Sequence, residues 1–276
     1  MRFKVILAPI SVNHSDADID AAIELSRSAG AHLSICVVAL GVPPPVGEYT
    51  MVLTDAWVGE RQALIDRLNA RRGAVDARLA DAGISADADS LYVELNAADM
   101  TFGKRARLAD VTLVGPEVLA DADMRSSVVE GALFESARPV LLVPKRATPT
   151  LAPRTVLVAW DGRIEAARAV REALGILAGA EEVHLTMVDP TVAEDGIEPG
   201  ADLGVYLARQ GVKTTIDRLS GGGRSTGEVL RRHALDIGAD LVVMGGYGHS
   251  RLRERIFGGV TRSMIEEAGV PVLMAR

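Results

Sequence analysis

The chain has 276 residues, 48% of them apolar and 24% charged, with a formal net charge of −7. That length suggests about two domains at roughly 100–200 residues each. The acidic balance argues against general nucleic-acid binding, which needs a basic face, and the lack of any run of about 18 apolar residues argues against a spanning helix.

Aromatic residues make up only 4% of the chain, so the core must be built from Ala, Val, Leu and Ile, a composition that suits parallel sheets covered by helices. Met1-Arg-Phe-Lys4 leads directly into a strand rather than a signal peptide, and the expected location is cytoplasmic, away from membranes.

The first strand signal is Phe3-Lys-Val-Ile-Leu-Ala-Pro9, and Asn13-His14-Ser15-Asp16 after it reads as a loop and helix cap. The single cysteine, Cys36, lies in the apolar run Leu33-Ser-Ile-Cys-Val-Val-Ala-Leu40. It cannot form an internal disulfide, and with no activating base in view it reads as a buried core thiol rather than a redox group. An arm, Pro43-Pro-Pro45, precedes a long amphipathic helix from about Asp55 through Leu79. Its apolar positions Leu64, Leu68, Val75 and Leu79 recur at helical spacing, which marks a packing element. Two further strand signals, Ala109–Gly115 and Arg138–Pro144, complete this half.

Arg146-Ala-Thr-Pro-Thr-Leu-Ala-Pro153 carries two prolines and reads as an extended linker. Beyond it the pattern repeats. Phe3–Pro9 has a counterpart in Arg154–Trp160, Ile23–Val37 in Leu174–Val188, Ala109–Gly115 in Ala239–Gly245, and Arg138–Pro144 in Val270–Arg276. Four paired segments in one order imply an internal duplication, with domains at 1–147 and 154–276.

In the second half, strands at 155–160, 183–188, 212–218, 240–245 and 270–275 alternate with helices at about 164–178, 200–210, 226–238 and 260–268. Short apolar strands separated by helices imply a doubly wound α/β fold, each domain a parallel five-stranded sheet with right-handed crossovers. In such sheets ligands sit beyond the C-terminal strand ends. The most informative stretch lies there: Met244-Gly-Gly-Tyr-Gly-His-Ser-Arg-Leu-Arg-Glu-Arg-Ile-Phe-Gly-Gly-Val-Thr261, between a strand and a helix. Spaced glycines admit a ligand close to the backbone. A helix start offers free N–H groups and a positive dipole end to an anion.

Gly245, two residues, Gly248, nine residues and Gly258 match the nucleotide-binding pattern of the universal stress protein family, and the chain resembles that family in both halves. Gly259 stands where the family usually carries Ser or Thr, leaving the N–H groups of Gly259 and Val260 and the Thr261 hydroxyl as donors. The resemblance implies a Rossmann-like, adenine-nucleotide-hydrolase-like fold. It also implies a bound ATP, ADP or AMP, with or without Mg2+, and a tandem pseudo-dimer, itself open to homodimerisation. Carried over by position, Ala159, Asp161, Val188 and Met244 would contact the nucleoside. Gly245, Tyr247 and Gly248 would follow the ribose and phosphates, and Gly258, Gly259, Val260 and Thr261 would receive the phosphate tail. Trp160 would stack on a base or close the sheet end.

Each assignment has a plainer alternative. Asp161-Gly162 is also an ordinary strand-to-helix turn. Tyr247 and His249 are also simple loop residues, and Arg251, Arg253 and Arg255 a solvated stripe. In the first half, Val118 replaces Gly248, and Glu117, Asp121 and Asp123 would repel phosphate, so no nucleotide is expected there. Ser126-Ser127 stand opposite Gly258-Gly259. Ser220-Gly-Gly-Gly-Arg-Ser225 resembles the phosphate loop of ATP pyrophosphatases, but Ser225-Thr-Gly-Glu228 reads more simply as a capping box. Five scattered histidines show no metal motif, and His32 and His184 fall at nearly matched repeat positions, which suggests packing. The sequence thus favours a nucleotide-binding, stress-signalling module. A slow ATP hydrolase and a pseudo-dimer without nucleotide are the alternatives.

Overall fold

The computed structural model describes residues 3–45, 53–190, 199–248 and 259–276. It divides into two compact units, Phe3–Arg138 and a second running from Pro139 to Arg276.

The first unit holds β1 (Val5–Ser11), α1 (Ala17–Ala29), β2 (His32–Gly41), α2 (Asp55–Ala82), β3 (Ala86–Glu94), α3 (Ala98–Ala106), β4 (Val111–Val114), α4 (Pro116–Ala120) and α5 (Ala122–Glu130). Its strands lie in the order β3-β2-β1-β4, all parallel where paired. The apolar runs read from the sequence become strands buried on both faces, with Ile6, Leu33, Ile35, Val37 and Val111 inaccessible to solvent or nearly so. Each such residue contributes about 1.5–3 kcal/mol. α2 starts at Thr54, whose hydroxyl caps the N–H of Trp57 at 3.2 Å. It buries Leu68, Val75 and Leu79, as its periodicity predicts, while Leu64 is half-buried.

The second unit holds β5 (Val140–Leu142), β6 (Thr155–Ala159), α6 (Ile164–Leu177), β7 (Glu182–Val188), α7 (Ala201–Arg209), β8 (Thr214–Leu219), α8 (Thr226–Asp236), β9 (Leu241–Gly245), α9 (Gly259–Glu266) and β10 (Val272–Ala275). Its order is β5-β10-β9-β6-β7-β8. β6 to β10 are parallel to their neighbours, and β5, which ends the first sequence repeat, joins β10 antiparallel. The fold is therefore α/β, with parallel strands joined through helices. The switch in strand order falls between β6 and β9.

The duplication extends to individual hydrogen bonds. Asp110 Oδ2 accepts the backbone N–H groups of Lys4 and Val5 at 2.7 and 3.0 Å. Asp240 Oδ2 accepts those of Arg154 and Thr155 at 2.8 and 3.0 Å. In each repeat this aspartate ties the start of the fourth strand to the start of the first. No helix among the described residues is long and apolar enough to cross a membrane.

Candidate functional site

At the C-terminal edge of the second sheet, β6 ends in half-buried Ala159, and the Trp160 N–H donates to the Thr186 carbonyl at 2.9 Å. Asp161 is exposed. Its Oδ1 accepts the N–H of Arg163, the residue that opens α6, at 3.0 Å, and its Oδ2 is 3.8 Å from the Arg163 guanidinium. The turn-forming role is thus realised at Asp161. Val188 closes β7 half-buried, and Met244 is buried at the end of β9.

Gly245 has a packing reason to be glycine. A Cβ there would stand 2.5 Å from the Ala166 backbone nitrogen and 2.6 Å from the Glu165 carbonyl carbon. Only a bare backbone lets β9 pass the first turn of α6 this closely. Gly248 is different: its nearest neighbour is the far end of a side chain, Glu165 Oε2, at 3.3 Å from an ideal Cβ.

Between them Tyr247 takes a left-handed φ of 60°, and its N–H donates to Thr261 Oγ1 at 3.3 Å. This bond fastens the glycine segment to the first turn of α9. Thr261 is buried and occupied in holding that turn, whereas Gly259 is exposed with open space where a Cβ would stand. The first N–H groups of a helix lack intrahelical partners and carry the positive dipole end. Gly259 and Val260 supply such N–H groups at the start of α9. Gly258, His249, Arg251, Arg253 and Arg255 lie outside the described residues.

In the first unit the segment after β4, which matches Gly245 to Gly248, is filled from within. Asp18, buried on the first turn of α1, accepts the N–H groups of Glu117 and Val118 at the start of α4, both at 3.2 Å. A Cβ on Gly115 would come within 2.4 Å of the Asp18 carboxyl carbon. Burial is the main cause that raises the Asp18 pKa above its ordinary 3.8, opposed by those two amides. Glu117 Oε1 accepts from the Ser15 N–H at 3.2 Å, while its Oε2 is buried without a hydrogen-bond partner. Asp121 caps α5 through the Met124 N–H at 3.1 Å. Ser126 donates to Glu130 at 2.7 Å and Ser127 is buried, so neither hydroxyl is presented as an anion site.

Asp16 departs from its sequence reading, whereas Ser225 and Cys36 follow theirs. Asp16 occupies the N-cap of α1 without a capping bond; its carboxylate meets Arg71 at 2.7 Å and Arg78 at 3.3 Å on α2. The Ser225 hydroxyl caps the Glu228 N–H at 3.2 Å, as the capping-box reading expects. Cys36 is buried and its thiol is pushed up to about 12 by desolvation, which makes it inert. Asp18 and Glu165 are site residues that no motif marks; each is the second residue of its helix, α1 and α6, although the repeat alignment sets Asp18 opposite Ala169.

Residues 153–276 match the family model of the universal stress protein family. A universal stress protein of Synechocystis is 30% identical over 145 residues, which is 50% of this chain and 47% of that protein. The stress response protein NhaX of Bacillus subtilis is 31% identical over 93 residues, 33% of this chain and 54% of that protein. The matched stretches thus span about half the length of these relatives. Among solved structures, a universal stress protein from Archaeoglobus fulgidus superposes with a TM-score of 0.69 over 99% of this chain and 96% of that one. Its sequence identity is 19%, so it speaks for the fold alone.

Proposed function

We propose that residues 153–276, which match the universal stress protein family model, bind an adenine nucleotide, ATP foremost, at the C-terminal edge of their sheet. The observation that carries the reading is the contrast between repeats. The start of α9 is open at Gly259 and tethered to the glycine segment through Tyr247 and Thr261. In the first repeat Glu117 and Val118, which stand where Tyr247 and Gly248 stand in the second, give their N–H groups to the Asp18 carboxylate. The first repeat fills the segment after its fourth strand with its own carboxylate; the second carries the glycine segment there.

The donor set fits a phosphate tail: backbone N–H groups at a helix start, with a glycine beside them. Ala159, Trp160, Asp161, Val188 and Met244 would border the nucleoside, and Gly245, Tyr247, Gly248, Gly258, Gly259, Val260 and Thr261 the phosphates. The chain would then act as a stress-response binding module, with nucleotide occupancy ordering the glycine segment and shifting a conformational population. Its two repeats would act as an intramolecular pseudo-dimer, with domains near 1–147 and 154–276. Slow hydrolysis is a second reading. Glu165, beside Gly248, is a carboxylate placed to hold a cation or a water near the phosphates.

Isothermal titration of the full chain with ATP tests the first reading. One equivalent is expected, weakened by Gly248→Val, which thrusts a side chain into the phosphate path, and by Thr261→Val, which removes the Tyr247 acceptor. No heat at millimolar ATP, together with no nucleotide released from freshly purified and denatured protein, would falsify it. Multiple-turnover phosphate release that Gly248→Val abolishes would favour the enzyme.

A further inference from the structure

Three metal-ligating side chains of the second unit converge on one point, each from a different element. His184 lies on β7, Asp217 on β8 and His233 on α8. Asp217 Oδ2 is 2.8 Å from His184 Nδ1 and 2.8 Å from His233 Nε2. The two rings stand at 79° with centroids 6.2 Å apart. The side chains retain 16% (His184), 18% (Asp217) and 17% (His233) exposure, enough for an ion and a water to enter.

The plain account is a clamp in which two imidazoles donate to one carboxylate oxygen. Three observations go further. First, the three donor atoms all lie within 4.8 Å of one another. Bonds of about 2.0–2.2 Å to a tetrahedral ion place ligand atoms roughly 3.3 Å apart. Opening each of the two Asp217 contacts by about 0.5 Å brings them to that spacing, and the two histidine nitrogens, within 4.8 Å of each other, reach it by side-chain rotation.

Second, ligation through His184 Nδ1 moves its proton to Nε2, and Glu182 Oε2 lies 3.8 Å from that atom. A carboxylate hydrogen-bonded to a ligating histidine fixes the tautomer and raises the ligand's basicity, a role Glu182 takes if it closes by less than about 1 Å.

Third, the first unit supplies a comparison. His32 and Asp87 make a similar cross-strand contact there, through His32 Nε2 at 2.9 Å, two residues before Ser34, which holds the strand register of His184. There His32 Nδ1 meets Ser85 Oγ at 2.8 Å, and Ser34 Oγ donates to the other Asp87 oxygen at 2.9 Å. That pair lacks a second imidazole, and His233 is the addition that completes a three-ligand set. Another titratable cluster, His14 with Asp18 and Glu117, is unsuited. Its His14 Nδ1 accepts the Ser11 N–H at 3.3 Å, which keeps the proton on Nε2, and Asp18 is committed to two amides.

The geometry points to a divalent transition-metal site of the Zn2+ class at His184, Asp217 and His233, with a remaining position for water. Two imidazoles and one carboxylate around a partly open position suit Zn2+ and admit Co2+ as a spectroscopic probe. An ion there staples β8, the last strand in this unit's order, to β7 and α8, independently of the nucleotide edge.

The test uses the untagged full chain, stripped with chelator and titrated with ZnCl2 or CoCl2 alone. One saturable equivalent is expected, with a rise in Tm and the visible absorption of four-coordinate Co(II). His184→Asn and His233→Asn should each weaken binding at least roughly tenfold, while metal-free Tm values near that of the parent show both variants folded. His32→Asn should bind like the parent. No saturable equivalent in the parent overturns the proposal. So does an equivalent that survives in both the His184 and His233 variants, or one lost with His32→Asn and kept with His233→Asn.

Discussion

Asp18 Oδ2 accepts the backbone N–H of Val118 at 3.2 Å, a bond between residues 100 positions apart. With the matching bond to Glu117 it supplies a built-in anion at the start of α4. Removing that carboxylate leaves two buried backbone donors without their acceptor, and each such loss costs about 1–3 kcal/mol. Asp18→Ala should therefore destabilise the chain by about 2–4 kcal/mol, seen as a lower urea midpoint. Nucleotide stoichiometry should stay at one per chain; a second equivalent appearing in this variant would show that the first repeat is merely blocked.

The same carboxyl makes stability depend on pH. Burial raises its folded pKa above 3.8, so between 3.8 and the folded value the native state binds more protons than the unfolded chain. Stability from this group is then full below 3.8 and declines as pH rises through the folded pKa. The stability of the parent minus that of Asp18→Asn should fall as pH is raised from below 3.8, then level off. Parallel denaturation curves across the series would check it, and a difference that grows with pH would contradict the assigned direction.

Gly245 and Gly248 belong to one motif and should separate on mutation. At Gly245 an added methyl meets the backbone of α6 at 2.5 Å, which cannot move aside cheaply. Gly245→Ala should cost about 1–3 kcal/mol through overpacking. At Gly248 the obstacle is a side-chain oxygen at 3.3 Å, so Gly248→Ala should leave the melting curve nearly unchanged. Equal destabilisation by both would mean that Gly248, too, is a packing glycine.

Much of this architecture is legible in the sequence because its signals are local. Val156–Val158 and Val242–Val243 announce strands by composition, and Leu68, Val75 and Leu79 announce a packed helix by spacing. The repeat is visible because Asp110 and Asp240 sit at matched places before matched strands. What escapes is non-local. Nothing near Asp18 tells that it fills a helix start 99 residues on, and nothing near His184 predicts a meeting with His233 across β8. The Gly245 signal is legible as a requirement for glycine, but its cause is α6 as much as any ligand.

Glu165 is the second residue of α6, as Asp18 is of α1. The shorter Asp18 turns into the amides of α4, whereas Glu165 reaches along the glycine segment to stand beside Gly248. A phosphate tail bound there meets a like charge, and two unit charges about 4 Å apart repel by about 4 kcal/mol at an effective dielectric of 20. A divalent cation between them reverses that sign. ATP affinity should therefore depend on Mg2+ in the parent chain. Glu165→Gln should bind ATP more tightly in EDTA and gain less from added Mg2+. Isothermal titrations with and without Mg2+ on both proteins give the two ratios; equal ratios would place the phosphates away from Glu165 and away from Gly248.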